Sequence, residues 1–149
     1  MKKRGQMKLS FGMIFSIILI IAFLVFAFYA IRMFLGVTDS AKIVKFRENL
    51  QEDIDDLWKG TKGSQRIGYE LPGKIEKVCF KDPERDYEYN LIFEPEDSVG
   101  GVEPININNI DIDKITEDEN PYCIENKNRK INILLKKDFG DELVILERA

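Results

Sequence analysis

The first third of the chain is dominated by one long apolar stretch. From Phe11 to Leu35, 22 of 25 residues are apolar, and only Gly12, Ser16 and Arg32 interrupt the run. As a helix the stretch would be about 37 Å long, which exceeds the thickness of a bilayer's hydrocarbon core, about 30 Å. A helix also satisfies every backbone polar group within lipid. Because nothing else in the chain is apolar enough to enclose it, the pattern predicts a transmembrane span rather than a buried core helix.

A different periodicity follows this span. Apolar residues recur there at steps of three and four positions, which places them on one face of a helix, and Gly60 lies where such a helix would stop. We predict an amphipathic helix over residues 40–59, within a stalk segment of residues 36–62. This helix either extends the stalk or packs onto the following domain. The residues of its apolar face are Ile43, Phe46, Leu50, Ile54 and Leu57.

From residue 63 onward the apolar spacing changes to that of β-strands. Six or seven short strands, separated by proline and glycine turns, indicate a small antiparallel β-domain over residues 63–149. The predicted fold class is therefore α+β, with a transmembrane helix that continues into an amphipathic helix and then a β-domain. A hairpin turn is expected at residues 126–129. The strand candidates are residues 66–71, 74–81, 87–94, 105–107, 110–113, 131–136 and 143–147.

The charges of the chain are unevenly distributed. Residues 1–36 hold five basic residues and no acidic residue, whereas residues 37–149 hold 17 basic and 26 acidic residues, a net charge of −9. The positive-inside rule then places the basic leader, residues 1–10, in the cytoplasm and the C-terminal domain outside the cell membrane, in a single-pass topology. An acidic domain repels nucleic acid, so nucleic acid is excluded as a partner.

The apolar stretch is predicted to stay in the mature protein. Cleavable secretory signals have apolar cores of about 7–15 residues, followed by an A-x-A-like site. This stretch is longer, and the segment Ala27-Phe28-Tyr29-Ala30 has the wrong spacing and bulky aromatic residues for such a site. We therefore expect a retained membrane anchor.

The residues before the apolar stretch resemble an archaeal class III signal sequence, the type found in type IV prepilins. The run KKRGQ at residues 2–6 carries this resemblance. It implies that a membrane peptidase cuts after Gly5, that Gln6 becomes the first mature residue, and that the apolar helix serves as anchor and filament core. The implied partners are the lipid bilayer, copies of the protein that self-associate through the apolar helix, a prepilin peptidase and a pilus assembly platform.

The resemblance has one departure and one alternative. Type IV pilins commonly carry a glutamate at the fifth mature position, whereas Ser10 stands at that position here. The alternative is a plain positive-inside flank that happens to read KRGQ. In that case residues 1–5 stay on the protein.

The two cysteines of the chain, Cys79 and Cys123, both fall in the part predicted to lie outside the membrane. An even number of cysteines in an oxidising compartment predicts a disulfide. A catalytic thiol is the alternative, but no histidine exists to activate one and no C-x-x-C motif is present.

Little else in the sequence indicates catalysis or cofactor binding. The chain has no histidine, which excludes triads with a histidine base and imidazole metal sites. Asp111 and Asp113 precede further carboxylates at residues 117–119 and form a weak candidate for Ca²⁺, although Thr116 stands where an EF-hand loop requires glycine. A solvated acidic loop is the simpler interpretation. We predict no catalytic residue, no cofactor and no other metal site.

The sequence therefore predicts a non-enzymatic, single-pass, membrane-anchored surface protein that resembles a type IV pilin-like structural subunit. The alternative is an uncleaved, membrane-anchored extracytoplasmic domain that binds a ligand or another protein. A hydrolase that uses paired carboxylates is a third hypothesis.

Overall fold

Within the part of the chain that the structure describes, the protein combines one long helix with six strands. The computed structural model describes residues 11–83, 88–99 and 102–149. The α+β class is confirmed, and six strands agree with the predicted number, but they form two antiparallel sheets of three strands each. The elements are helix α1 (Phe11–Lys59), strands β1 (Gly63–Glu70), β2 (Lys77–Phe80) and β3 (Leu91–Glu94), a 3₁₀ turn (Glu96–Val99), helix α2 (Ile112–Ile115), and strands β4 (Tyr122–Glu125), β5 (Lys130–Lys137) and β6 (Ile145–Arg148).

The chain divides into two compact units, Met1–Val37 and Thr38–Ala149, and α1 contributes residues to both. In the first unit the described residues, 11–37, are helical and exposed. In the second unit, the C-terminal part of α1 and both sheets surround one hydrophobic core. The predicted core face of the amphipathic helix is confirmed. Leu57 is partly buried. The other four residues of this face are fully or almost fully buried: Ile43, Phe46, Leu50 and Ile54.

Phe46 of α1 contacts both sheets. Its ring meets Tyr69 of β1 edge-on at a centroid distance of 5.4 Å, and Phe93 of β3 at 5.9 Å. Edge-to-face packing of this kind adds about 0.5–1.5 kcal/mol per pair beyond the area that is buried. The Tyr69 hydroxyl also donates a 2.7 Å hydrogen bond to the carboxylate of Asp53 on α1. Burial and that neighbouring carboxylate raise the pKa of Tyr69 far above its usual value, so the hydroxyl remains a donor.

Each sheet has a different central strand. The first sheet has the order β1-β5-β6, and the second sheet has the order β3-β2-β4. The tight turn predicted at residues 126–129 is present, with Asn128 and Arg129 at positive φ. However, β4 and β5 on either side of it belong to different sheets, so the predicted hairpin is wrong as a strand pair. At this turn the chain passes from the second sheet to the first.

Two strand predictions are wrong. Residues 110–113 alternate like a strand, yet Ile112–Ile115 forms the short helix α2. The physical reason is Asp111, whose side chain accepts a 3.1 Å hydrogen bond from the backbone N–H of Lys114 and so caps the first turn. Residues 105–107 supply only a single bridge, from Ile105 to Leu91 of β3.

A buried lysine closes the C-terminal end of α1. Lys137 of β5 is only 6% exposed, and its ammonium donates hydrogen bonds to the carbonyl oxygens of Trp58 (2.6 Å) and Gly60 (2.9 Å). The last carbonyls of a helix have no partner within the helix, and a cation also complements the negative end of its dipole. Lys137 therefore joins β5 to the end of α1.

Replacing this lysine is expected to destabilise the fold. Lys137→Met removes both hydrogen bonds while keeping the length of the side chain, so the free energy of unfolding should fall by about 1.5–3 kcal/mol. The measurement is urea unfolding of the full chain in detergent micelles, followed by the fluorescence of Trp58. Lys136→Met is the matched control, because Lys136 is half-exposed and makes only a 3.8 Å ion pair with Glu147; its effect should be within about 0.5 kcal/mol. Equal losses in the two variants would contradict the capping role.

Candidate functional site

The apolar surface of α1 is the largest feature with a functional implication. In length and composition the helix is able to cross a membrane, and none of its most apolar 18-residue window is buried. Two polar side chains that interrupt the apolar stretch each have a partner within the helix. The Ser16 hydroxyl donates to the carbonyl oxygen of Gly12 at 2.8 Å, and the Arg32 guanidinium lies 4.8 Å from the centre of the Phe28 ring. Each of these two side chains thus contacts a residue one turn earlier in the same helix.

The residues of the predicted processing site, Gly5 and Gln6, lie outside the described residues, as does Ser10. Cleavage after Gly5 and the orientation of the span therefore stay predictions. The predicted span, Phe11 to Leu35, lies entirely within α1.

The predicted disulfide between Cys79 and Cys123 is present. Cys79 lies on β2, the central strand of the second sheet, and Cys123 lies directly opposite on the edge strand β4. Cys79 is only 1% exposed, whereas Cys123 is partly exposed. The bond therefore joins neighbouring strands of one sheet, and its β4 end is the more accessible.

The disulfide lies on the outer face of the second sheet. Successive side chains of a strand point to opposite faces, so the buried Val78 and Phe80 face the core and Cys79 faces outward. The register places Glu94 of β3 and Glu125 of β4 opposite Lys77, two residues before Cys79. On the outer face, Lys77 therefore lies between Glu94 and Glu125 in one cross-strand row. The Cys79–Cys123 disulfide lies in the next row.

Glu94 approaches the disulfide closely. One carboxylate oxygen of Glu94 and the sulfur atoms of Cys79 and Cys123 all lie within 4.8 Å of one another. The Lys77 ammonium lies 4.0 Å from a carboxylate oxygen of Glu94. Glu94 is not predictable from the sequence as a member of this cluster, because it is distant from both cysteines along the chain and only the strand register brings it near them. The one available signal was the inward alternation of Leu91 and Phe93, which places Glu94 outward.

A charged groove of about 440 Å³ borders Cys123. Its lining comes from both sheets and includes Lys77, Lys130 and Arg148. Arg148 of β6 donates a 2.8 Å hydrogen bond to the carbonyl oxygen of Cys123 and lies over the ring of Tyr122, 4.6 Å from its centre. Residues of both sheets therefore line the groove, and Arg148 of the first sheet contacts β4 of the second.

The structure does not bring the two weak Ca²⁺ candidates, Asp111 and Asp113, together with other ligand atoms. Asp111 caps α2, and the Lys114 ammonium lies 3.5 Å from it and 3.1 Å from Asp141. The hydrogen bond to Asp141 and its charge raise the pKa of Lys114. Asp113 is exposed. Among residues 11–83, 88–99 and 102–149, the set of three converging ligand atoms is the cysteine and Glu94 cluster, and Asp111 and Asp113 are not part of it.

Among the features available for function are the apolar helix surface, the outer face of the second sheet with its disulfide, and the charged groove beside it. Comparison of the chain with protein-family models, curated proteins and solved structures finds no match. Its function must therefore be inferred from these three features themselves.

Proposed function

We propose that the protein is a non-enzymatic, single-pass membrane protein of the cell surface and that it acts as a type IV pilin-like structural subunit. The observation that carries this proposal is the surface of α1 over residues 11–37, which is helical and exposed throughout and apolar except at four positions: Gly12, Ser16, Arg32 and Gly36. An apolar surface of this size on a protein in water would favour aggregation, and lipid or other copies of the same helix would cover it.

The two parts of α1 suit two different surroundings. Residues 11–37 hold none of the core residues of the second unit, whereas Ile43, Phe46, Leu50 and Ile54 are all buried in that core. One helix therefore both anchors the protein and forms an integral part of its folded domain. In a filament the exposed apolar residues would pack between copies, and the β-domain would form the outer surface. The proposed partners are the lipid bilayer, other copies of the chain, a prepilin peptidase and an assembly platform.

One observation favours a second candidate function. The charged groove beside Cys123 is large enough to accommodate a small ligand or an extended side chain. An uncleaved anchor that displays this groove would be a binding module rather than a filament subunit.

The N-terminus of the protein distinguishes the two. We expect the intact mass and N-terminal sequence of the protein, purified from membranes without reductant, to show a chain that starts at Gln6. Gly5→Leu should block this processing, whereas Gly12→Leu, a matched glycine change beyond the motif, should leave the start at Gln6. A wild-type chain that starts at Met1 would overturn the pilin-like part of the proposal and leave an anchored domain.

Filament formation needs its own test. Material sheared from cells and examined by electron microscopy should contain filaments that include this protein, and Ser10→Glu should not be required for them.

Alkaline carbonate extraction tests the anchor separately, because an integral protein stays in the membrane pellet. Labelling of intact cells with a membrane-impermeant amine reagent tests the orientation: lysines of residues 38–149 should react. Release of the protein into the carbonate supernatant would contradict the anchor. Failure of these lysines to react in intact cells would contradict the proposed orientation.

A further inference from the structure

We infer that reduction of the Cys79–Cys123 disulfide creates a Zn²⁺ site, formed by the two thiolates and the carboxylate of Glu94. In the oxidised protein the sulfurs cross-link β2 to β4, and in the reduced protein the same sulfurs become metal ligands. This site is independent of the anchor and of filament formation. It rests on the strand register and on the distances within the second sheet.

The three side chains already converge. Their ligand atoms lie within 4.8 Å of one another, and all three lie on the outer face of the second sheet. In a tetrahedral zinc site with Zn–S distances of about 2.3 Å, neighbouring ligand atoms are about 3.5–3.8 Å apart. Glu94 must therefore move inward by about 1 Å, which suits a side chain that is 45% exposed and can change rotamer. The strand pairing holds both cysteine backbones in place while the sulfurs separate.

The charges of the cluster suit a divalent cation with some thiolate affinity. Two thiolates and one carboxylate around Zn²⁺ leave one net negative charge. The Lys77 ammonium, 4.0 Å from the Glu94 carboxylate, compensates that charge. Thiolate ligands favour zinc and exclude calcium and magnesium, which prefer oxygen ligands. The site therefore differs in chemistry from the candidate at Asp111 and Asp113.

The site is open to solvent on one side. Cys79 is buried, but Cys123 lines the charged groove and Glu94 is half-exposed. A metal ion can thus reach the cluster, and a water molecule from the groove completes four-coordination. A dithiol reductant gives two electrons and two protons to the disulfide and becomes a cyclic disulfide, which leaves two thiols on the protein. Metal binding then displaces both thiol protons.

The test is a Co²⁺ titration of the full chain in detergent micelles, after reduction with a dithiol and its removal under argon. Co²⁺ substitutes for Zn²⁺ and reports thiolate ligands through a charge-transfer absorption. We expect one equivalent of Co²⁺ to bind to the reduced chain, Zn²⁺ to displace it, and the oxidised chain to show no such absorption. Glu94→Gln should weaken the affinity for Co²⁺ by about tenfold or more, as the loss of a charged ligand requires.

Glu125→Gln is the matched control. Glu125 occupies the corresponding position on the other side of Lys77, but it is not part of the cluster and pairs with Lys127 at 3.4 Å. Its affinity for Co²⁺ should stay within about twofold of the wild type. Absence of the charge-transfer absorption in the reduced chain, or equal affinities of the two glutamine variants, would overturn the proposal. Equal affinities are also the result expected if the reduced chain has unfolded, because cysteines in an unfolded chain bind metal without regard to Glu94.

Discussion

Phe46→Ala is expected to lower the free energy of unfolding by about 3–5 kcal/mol. Phe46 is 2% exposed and packs edge-on against Tyr69 and Phe93. Its truncation removes a large apolar side chain and opens a cavity at the point where α1 meets both sheets. Two aromatic contacts are lost in addition to the buried area. The measurement is urea unfolding of the full chain in detergent micelles by near-ultraviolet circular dichroism.

The control for this change is Phe139→Ala. Phe139 lies in the connection between β5 and β6 and is 83% exposed. The same chemical truncation there should change the free energy of unfolding by no more than about 0.5 kcal/mol. A loss below about 1 kcal/mol for Phe46→Ala would mean that α1 does not form part of the core of the second unit.

Removal of the disulfide is expected to destabilise the second unit by about 4 kcal/mol. The cross-link joins residues that are 44 positions apart, and its loss restores conformational freedom to that segment of the unfolded chain. The double change Cys79→Ala and Cys123→Ala should shift the urea midpoint to the same extent as full reduction of the wild type in a metal-free buffer. The double variant itself should not respond to reductant.

Two outcomes would contradict this expectation. A double variant as stable as the oxidised wild type would show that strand pairing alone holds β2 and β4 together. A further loss of stability when the double variant is treated with reductant would mean that the reductant acts elsewhere. Chelation of metal in the reduced wild-type sample keeps this measurement separate from the Zn²⁺ site proposed above.

The features that the sequence predicted best depend on residues close together along the chain. The positions of Ile43, Phe46, Leu50 and Ile54 follow from helical periodicity, which is a local property. The disulfide was predictable for a different reason, since only two cysteines exist and the bond needs no choice between partners. The apolar helix over residues 11–35 follows from composition alone.

What the sequence could not show depends on contacts between distant segments. The alternation at residues 110–113 suits a strand, but the cap provided by Asp111 favours a turn of helix. A local pattern at residues 126–129 correctly indicates a tight turn, yet it does not specify that β4 and β5 join different sheets. Glu94 belongs to the cysteine cluster only through the register of β2 with β3, which no local pattern contains.

The position of the disulfide also determines how the protein responds to mechanical load. Tension applied between α1 and β6 passes through the Cys79–Cys123 bond. It bypasses the loop that holds β3 and α2. The 44-residue separation corresponds to roughly 150 Å of extended chain that pulling cannot release while the bond is intact. While the bond is intact, the chain can be stretched only over its remaining segments, and reduction would restore the length of the closed segment.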